Sequence, residues 1–508
     1  MRKALLIIII FLGSTCVNAQ VFSKFYDYKG INDLGSDVLV LKDGYLTTSA
    51  SVNFSKIDTF NYAQTFLQLI KYNKEGIVSK TNVLRIKNHS LDIYGTCLIN
   101  WNDTTYLNIG RELDLVKYQN DSIGYSIFIV KYNNLLDTIS TKSIKFSAGN
   151  NTPVSILKRS ENSIFIFGQE CVKGKPIQDC DYFLTRLDSN FNVVWKRSYA
   201  YDPTYWENPE SFVETEDKGF LLFGYTSNNF DGVRYWYLVK TDSVGNKQWQ
   251  KKYFKNSQQL GRGITKTLDG NYLLCGSVET IITGGVKEYQ GWLIKIDPIG
   301  NTIWERIYGS ERFDFFRDVL EKPDSSILIS GYQTSDRLTI EDSDEWVLKF
   351  DKNGNKLWER VYNNYSAIRH QHPNDLMYSM KLTDDGGSIM AGYSYNPDLM
   401  NPTQDLWILK LDSFGCLVPG CQGVGIEGKR ISAEEVLIYP NPAKNFIKLS
   451  HREKLEYYKI LNVLGKVVQE GYYNEEGISL NNTISSGHYL LYVQFESEIQ
   501  GYGRLVVD

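Results

Sequence analysis

A basic residue followed two positions later by Asp or Asn recurs seven times along the 508-residue chain, and this spacing constrains the fold more than any other feature. The copies are Lys71-Tyr-Asn73, Lys131-Tyr-Asn133, Arg186-Leu-Asp188, Lys240-Thr-Asp242, Lys295-Ile-Asp297, Lys349-Phe-Asp351 and Lys410-Leu-Asp412. The intervals between the basic residues are 60, 55, 54, 55, 54 and 61, a regularity that implies one supersecondary unit per period. A second register runs in phase, with Trp195, Trp249, Trp304 and Trp358 spaced 54, 55 and 54 apart. A third consists of turn-then-strand units, most ending in Gly: Asp43-Gly44-Tyr45, then 103–110, 161–168, 217–224, 269–276, 324–331 and 385–392.

Each period holds four short strands. In the fourth they are predicted over Ser211–Thr215 (a), Gly219–Tyr225 (b), Trp236–Asp242 (c) and Lys247–Tyr253 (d), from polar/apolar alternation, β-branched and aromatic enrichment and Gly/Asp/Asn punctuation. Four-stranded units repeated around an axis are what a β-propeller requires. The expected fold is all-β: a seven-bladed β-propeller closed by an N-terminal strand, followed by a small C-terminal β-sandwich. The closure expectation rests on the ends. The seventh unit supplies a, b and c up to Asp412 but no d strand, whereas Val21-Phe-Ser-Lys-Phe-Tyr26 is similar to the d strand Leu357-Trp-Glu-Arg-Val-Tyr362. Pairing the two removes an open seam of unpaired backbone groups.

Three positions before each basic residue stand Gln68, Phe128, Phe183, Tyr237, Trp292, Trp346 and Trp407, aromatic in six of seven and expected to fill the gap between blades. The Lys-x-Asp pairs end strand c before turns such as Asp351-Lys-Asn-Gly-Asn355, where Asp caps the turn; an anion-holding ring of basic residues is the weaker reading. The a–b and c–d turns are tight. The b–c loops (Thr226–Arg234, Val278–Tyr289, Gln333–Asp344, Ser394–Gln404) and d–a loops (Ala200–Pro209, Asn363–Asn374) are long and emerge on one face. Recognition sits on loops held by a rigid scaffold. That face is therefore the expected binding surface, with Tyr201, Tyr205, Trp206, Arg234, Tyr289, Arg369, His370 and His372 as candidates.

Met1 to Ala19 has a basic start, an apolar run from Ala4 to Leu12 and the small-residue exit Val17-Asn18-Ala19, which reads as a secretory signal peptide. The run is too short to span a bilayer, and no later stretch is long enough, so no transmembrane segment is expected in the mature chain. Six cysteines follow Cys16 in an exported, disulfide-permissive context. Cys416 with Cys421 and Cys171 with Cys180 are disulfide candidates; Cys97 and Cys275 are expected as buried thiols. The 55 Lys+Arg against 59 Asp+Glu, without a basic cluster, argue against a nucleic-acid partner.

No catalytic residue is identified. His370-Gln-His372 has metal-ligand spacing but no third ligand, so neither a metal nor a cofactor is expected. Gly423-Val-Gly425-Ile-Glu-Gly428 lacks the strand and helix a dinucleotide fingerprint needs. Strand a starts near Ser211, Arg262 and Met377 show no concentration of paired carboxylates and Arg. That favours a binding or interaction module for a glycan or partner protein over the alternative, an extracellular polysaccharide hydrolase or lyase with its site in the propeller centre.

Beyond Cys421 a Gly-rich linker leads to a different periodicity: Tyr439-Pro440-Asn441-Pro442-Ala443, a Leu-Gly465-Lys466 turn, Ser-Gly487-His-Tyr489 and a terminal strand. Short strands at about ten-residue spacing suggest a β-sandwich. These residues closely resemble the type A C-terminal sorting domain of the type IX secretion system, with Asp508 in place of the basic residue that often ends it. The resemblance implies a partner, the type IX secretion machinery, and a secreted or outer-cell-surface location in a Gram-negative bacterium, reached through the periplasm. The repeats resemble, less specifically, propellers of the quinoprotein and Kelch-like kind. The expected domains are 1–19 signal peptide, 20–416 propeller, 417–435 linker and 436–508 sorting domain.

Overall fold

The computed structural model describes residues 20–507, apart from 58–62, 94, 96, 122–123, 161, 173–178, 203–204, 229–230, 256–257, 282–284, 286, 311–312, 335–342, 364–373, 397–402, 418–432, 451–454, 463–466, 475–476, 483 and 496–499. The predicted signal peptide thus lies outside the described residues. Regular structure among the described residues is all strand, except one short helix, Leu115–Asp121.

Between Phe22 and Leu411 the strands form seven antiparallel sheets. The fourth is representative: strands a (Tyr205–Glu214), b (Phe220–Asn228), c (Arg234–Thr241) and d (Lys247–Tyr253) lie side by side in that order. Strand a starts at Tyr205 rather than Ser211, because Tyr205 to Pro209 pair with Asn228 to Gly224 before a bulge shifts the register. Two sheets depart from the pattern. In the second, strand a is broken into His89–Asp92 and Leu98–Asn102, both paired with Thr105–Asp114. In the seventh, Phe22–Tyr26 occupies the d position against strand c, Thr403–Leu411, with Phe22 opposite Lys410 and Tyr26 opposite Leu406. Successive sheets pack against each other, and the first sheet's strand a, Asn32–Leu41, packs on strands a, b and c of the seventh.

One contact repeats between neighbouring sheets. The turn after strand c of every unit places a residue in the left-handed region: Gly76, Leu136, Phe191, Gly245, Gly300, Gly354 and Gly415, with φ from 59° to 81°. Where that residue is Gly, an aromatic ring from strand d of the preceding sheet lies on it. A Cβ at Gly245, Gly300, Gly354 or Gly415 would meet Trp195, Trp249, Trp304 or Trp358 within 3.0 Å. The tyrosine four residues after each Trp donates to the same turn: Tyr199 to Gly245 O (2.6 Å), Tyr253 to Gly300 O (2.8 Å), Tyr308 to Gly354 O (2.7 Å), and Tyr362 to Gly415 O. Phe22 takes the Trp position against Gly76, 2.7 Å from a would-be Cβ. Where the turn carries Leu136 or Phe191, both buried, the Trp register of the preceding strand holds Lys80 or Ser140 instead. Ring plus glycine, or a small or flexible residue plus a turn side chain, fill the same space.

The inner aromatic register is buried at all seven positions. Gln68, its polar exception, donates to Asp33 Oδ1 at 2.9 Å and to Ser51, so the first sheet replaces a ring with a hydrogen-bonded core. The Asp of each clear Lys-x-Asp pair caps the turn, as Asp242 does by accepting from Val244 N and Asn246 N. The Lys reaches back to the a–b turn of its own sheet. Lys71 meets Asp43 at 2.9 Å, Lys240 meets Asp217 at 2.7 Å, Lys295 meets Asp269 at 2.6 Å and Lys410 meets Asp385 at 2.8 Å. These lysines are consumed by structure.

Cys171 and Cys180 are bridged directly across strands b and c of the third sheet. Cys416 is disulfide-bonded as well, its predicted partner Cys421 lying outside the described residues. Cys97 and Cys275 are free and buried. The C-terminal region forms one five-stranded and one three-stranded sheet around a separate core that includes Ile447, Ile460, Leu491 and Leu505.

Candidate functional site at the inner strands

The predicted loop residues sit differently from expectation. Tyr205 and Trp206 open a strand a, Arg234 opens a strand c, and Tyr289 lies within strand c of the fifth sheet, Lys287–Ile296. The strands run on into segments read as loops because their backbones keep pairing, for example Trp206 with Ser227 and Tyr289 with Glu279. Arg369, His370 and His372 lie outside the described residues. The remaining five do not converge on one point. Tyr201, Tyr205 and Tyr235 surround the ammonium of Lys252, at 4.2, 5.2 and 4.1 Å from the ring centroids, so that aromatic cage already holds a cation. Tyr289 stacks on Phe315 (5.1 Å), which stacks on Tyr332 (4.7 Å), and Trp206 meets Tyr225 edge-on (5.7 Å).

These contacts lead inward to a feature missed in the sequence. Strand a of six sheets carries a bulge, at Gly35/Asp37, Pro153/Ser155, Pro209/Ser211, Gly261/Gly263, Phe316/Asp318 and Met377/Ser379. A bulge leaves one residue unpaired and re-aims its side chain. Those residues are Ser36, Val154, Glu210, Arg262, Arg317 and Tyr378, and they touch across neighbouring sheets. Ser36 donates to Gly95 O (2.8 Å), Arg262 pairs with Glu210, and the Arg317 guanidinium lies 4.1 Å over the Tyr378 ring. In the fourth, sixth and seventh sheets the Gly that ends the b-strand motif lies against this bulge. A Cβ at Gly224, Gly331 or Gly392 would fall about 2 Å from the carbonyl oxygen of Asn208, Phe315 or Leu376.

Three residues before each bulge is a fully buried polar group: Asp33, Asn151, Glu207, Gln259, Asp314 or Asp375. Strand a starts are therefore rich in carboxylates, contrary to the sequence-based expectation, which set those starts several residues too late. Several close the arriving d–a connection: Tyr28 N donates to Asp33 (2.6 Å), Phe146 N to Asn151 (2.7 Å), Tyr201 N to Glu207 (3.2 Å) and Ser310 N to Asp314. Burial pushes Asp33 up to about 7 and Glu207 up to about 8. Below the bulge, Asp37 accepts from Cys97 N and Leu98 N (2.9 Å each) and Asp318 from Met380 N (3.1 Å), tying inner strands together.

The residue after each b-strand Gly completes the site. Tyr225, Tyr332 and Tyr393 occupy this register in the fourth, sixth and seventh sheets. The Tyr332 phenol is raised by burial and lies within electrostatic reach of Arg262, Arg317, Tyr378 and Glu210. Tyr378 and Tyr393 are hydrogen-bonded to each other. Glu210 neutralises Arg262. Arg317 has neither hydrogen bond nor ion pair among the described residues, and Glu345, a buried acidic neighbour, is pushed well above the ordinary carboxylate range by burial and accepts from Met377 N. The arrangement is a guanidinium between tyrosines, suited to an anion. Among the described residues no three His, Cys, Asp or Glu side chains converge as metal ligands.

In the C-terminal region the Tyr-Pro-Asn-Pro-Ala segment docks on the last strand, Gln500–Val507. Val506 N donates to Asn441 Oδ1 (2.8 Å), Ala443 N donates to Val506 O (2.7 Å), and Ala443 is fully buried. Tyr439 is half exposed, and the Tyr489 hydroxyl donates to Ser485 O at 2.7 Å near Gly487. Gly465 and Lys466 lie outside the described residues.

Residues 437–508 match the family described as a secretion system C-terminal sorting domain. Such a type IX tail places the protein at the outer surface or in the surroundings of a Gram-negative bacterium, and recognition by the type IX machinery follows from it. No helix among the described residues is long and apolar enough to cross a membrane. No curated protein matches the chain. Among solved structures it is similar to the polysaccharide lyase Uly1 (9% identity, 75% of this chain and 90% of that one, TM-score 0.44). It is also similar to the β-propeller domain of the Trilobed protease from Pyrococcus furiosus (8%, 78% and 99%, 0.40) and to a protein of unknown function from Bacteroides caccae (10%, 57% and 87%, 0.35). Likeness at this level says nothing about ligand or chemistry.

Proposed function

We propose that residues 20–416 form a closed seven-bladed β-propeller, latched by the strand Phe22–Tyr26, that works outside the cell as a binding module. The signal peptide 1–19 brings the chain to the periplasm, 417–435 is a linker, and the sorting domain from 436 carries the protein across the outer membrane. The ligand face is the one from which the d–a and b–c connections emerge. The observation that carries this reading is the group of Arg317, Tyr332, Tyr378 and Tyr393 within the a and b strands that lead to those connections.

The second reading is a polysaccharide hydrolase or lyase acting at the propeller centre. It is favoured by Glu210, Arg262 and the tyrosines around them, a concentration of polar groups at the inner strands. A screen of the mature protein on a glycan array, run beside a panel of polysaccharides assayed for new reducing ends or unsaturated products, separates the two. Retention without turnover supports a binder, and product formation replaces it with the enzyme.

A further inference from the structure

Resting on the ligand face proposed above, we infer that the bulge residues of the sixth and seventh sheets form a subsite for the carboxylate of an acidic saccharide, with Arg317 as the anion-binding group. Three observations lead there. The first is position. Arg317 and Tyr378 are the unpaired residues of their bulges, so neither side chain is committed to the packed face of its sheet. The second is charge. Of the two guanidiniums in the ring, Arg262 is spent on Glu210, whereas Arg317 is half-buried, lies over the Tyr378 ring and has no ion pair among the described residues; Tyr332, Tyr393 and Glu345 are near it, and burial raises the Glu345 carboxyl. Asp318, the next residue, is directed to Met380 N and is also raised by burial. A partly desolvated cation without a counter-charge is costly, and a carboxylate received in the guanidinium fork relieves that cost.

The third observation is the surroundings. Tyr332 and Tyr378 supply rings and hydroxyls beside the fork, and Tyr332 is braced by the stack Tyr289–Phe315–Tyr332. Rings that stack and hydroxyls that hydrogen-bond match a hydroxyl-rich ring carrying one carboxylate. A dense polyanion would need several uncompensated cations, and the ring offers one. A uronate unit of an oligosaccharide fits these terms.

The test uses the mature full chain in calorimetric titration with a galacturonate oligosaccharide, its carboxyl-reduced neutral counterpart and a polyglutamate peptide. The uronate oligomer is expected to bind, with affinity falling as salt is added, and the neutral and peptide probes are not. Arg317→Gln should weaken uronate binding about tenfold or more. Arg317→Lys, which keeps the charge over Tyr378 and guards against a folding failure, should weaken it several-fold with an unchanged melting temperature. Wild-type affinity in both variants, or equal binding of polyglutamate, overturns the subsite. Tight binding of neutral glycans that is indifferent to Arg317→Gln overturns the subsite and leaves the ligand face standing. A folded protein that binds none of a full glycan array overturns both.

Discussion

The ring-on-glycine contact between sheets can be measured with four proteins. Trp249 covers Gly300, whose Cα would carry a Cβ 2.8 Å from the indole edge at a φ of +79°. Complete burial of a Trp is worth about 3–5 kcal/mol on truncation to Ala, and Trp249 is only half-buried, so Trp249→Ala should cost about 2 kcal/mol. Gly300→Ala adds a left-handed alanine, about 1–2 kcal/mol, plus the displacement of the indole, for a total of about 3 kcal/mol. With the indole gone the displacement vanishes. The double variant should therefore be less destabilised than the sum of the singles by about 1–2 kcal/mol. Trp249→Ser with Gly300→Phe copies the natural Ser140 and Phe191 arrangement and should recover at least half the loss. The assay is urea unfolding of the propeller transition, followed by far-ultraviolet circular dichroism. If Gly300→Ala costs the same with and without the indole, the turn glycine does not serve this contact and the argument for every other sheet fails with it.

Removal of Val21 to Tyr26 should lower the melting temperature by several degrees, since it opens the outer edge of Thr403–Leu411 and leaves Trp407 without the Ser23 hydroxyl it donates to at 2.8 Å; an unchanged melt refutes the latch. Stability should decline from about pH 5 to pH 8. Asp33 and Glu207 hold protons in the fold to about 7 and 8 because burial disfavours their charged forms, against ordinary values of 3.8 and 4.5, so the folded state binds more protons across that window. Asp217 acts in the opposite sense lower down: burial raises it, but hydrogen bonds from Lys240 and Thr215 outweigh that and bring it to about 2, so its contribution is gained between about pH 2 and 4. Melting curves across about pH 2 to 8.5 check both, and Asp33→Asn should flatten the decline above about pH 5. Deleting Val436 to Asp508 should strand a folded propeller in the periplasm, and fractionation that finds it outside the cell overturns the sorting role.

Much of the architecture was legible because it repeats. The Trp register and the Lys-x-Asp turns each have a one-residue trace in the sequence that neighbouring units corroborate, and the Cys171–Cys180 pair shows as two cysteines flanking one polar loop. Leu136 and Phe191 were not legible as members of the same series, since their role shows only when the turn is seen against Lys80 and Ser140 of the sheet before it. The bulges escaped for a different reason. Two residues against one is a fact of pairing, and no residue type marks it: Ser36, Val154, Glu210, Arg262, Arg317 and Tyr378 share nothing chemically. Strand ends were misplaced with them, which hid Glu207 and Asp375 and turned Tyr205 and Tyr289 into loop residues. A usable trace did exist in the Gly-Tyr dipeptides Gly224-Tyr225, Gly331-Tyr332 and Gly392-Tyr393, where the glycine marks the pinch and the tyrosine the site.

Ser23 and Trp407, joined by a hydrogen bond, stand 384 positions apart in the chain. During synthesis and passage through a membrane the first of these emerges long before the second, so the earliest segment to leave must wait, unmatched, for the last. Until then both carry open edges that could capture another copy. A join of such long sequence separation is intrinsically slow to form, and a helper that shields the waiting segment would act most usefully there, well before any cargo signal at the far end has been read.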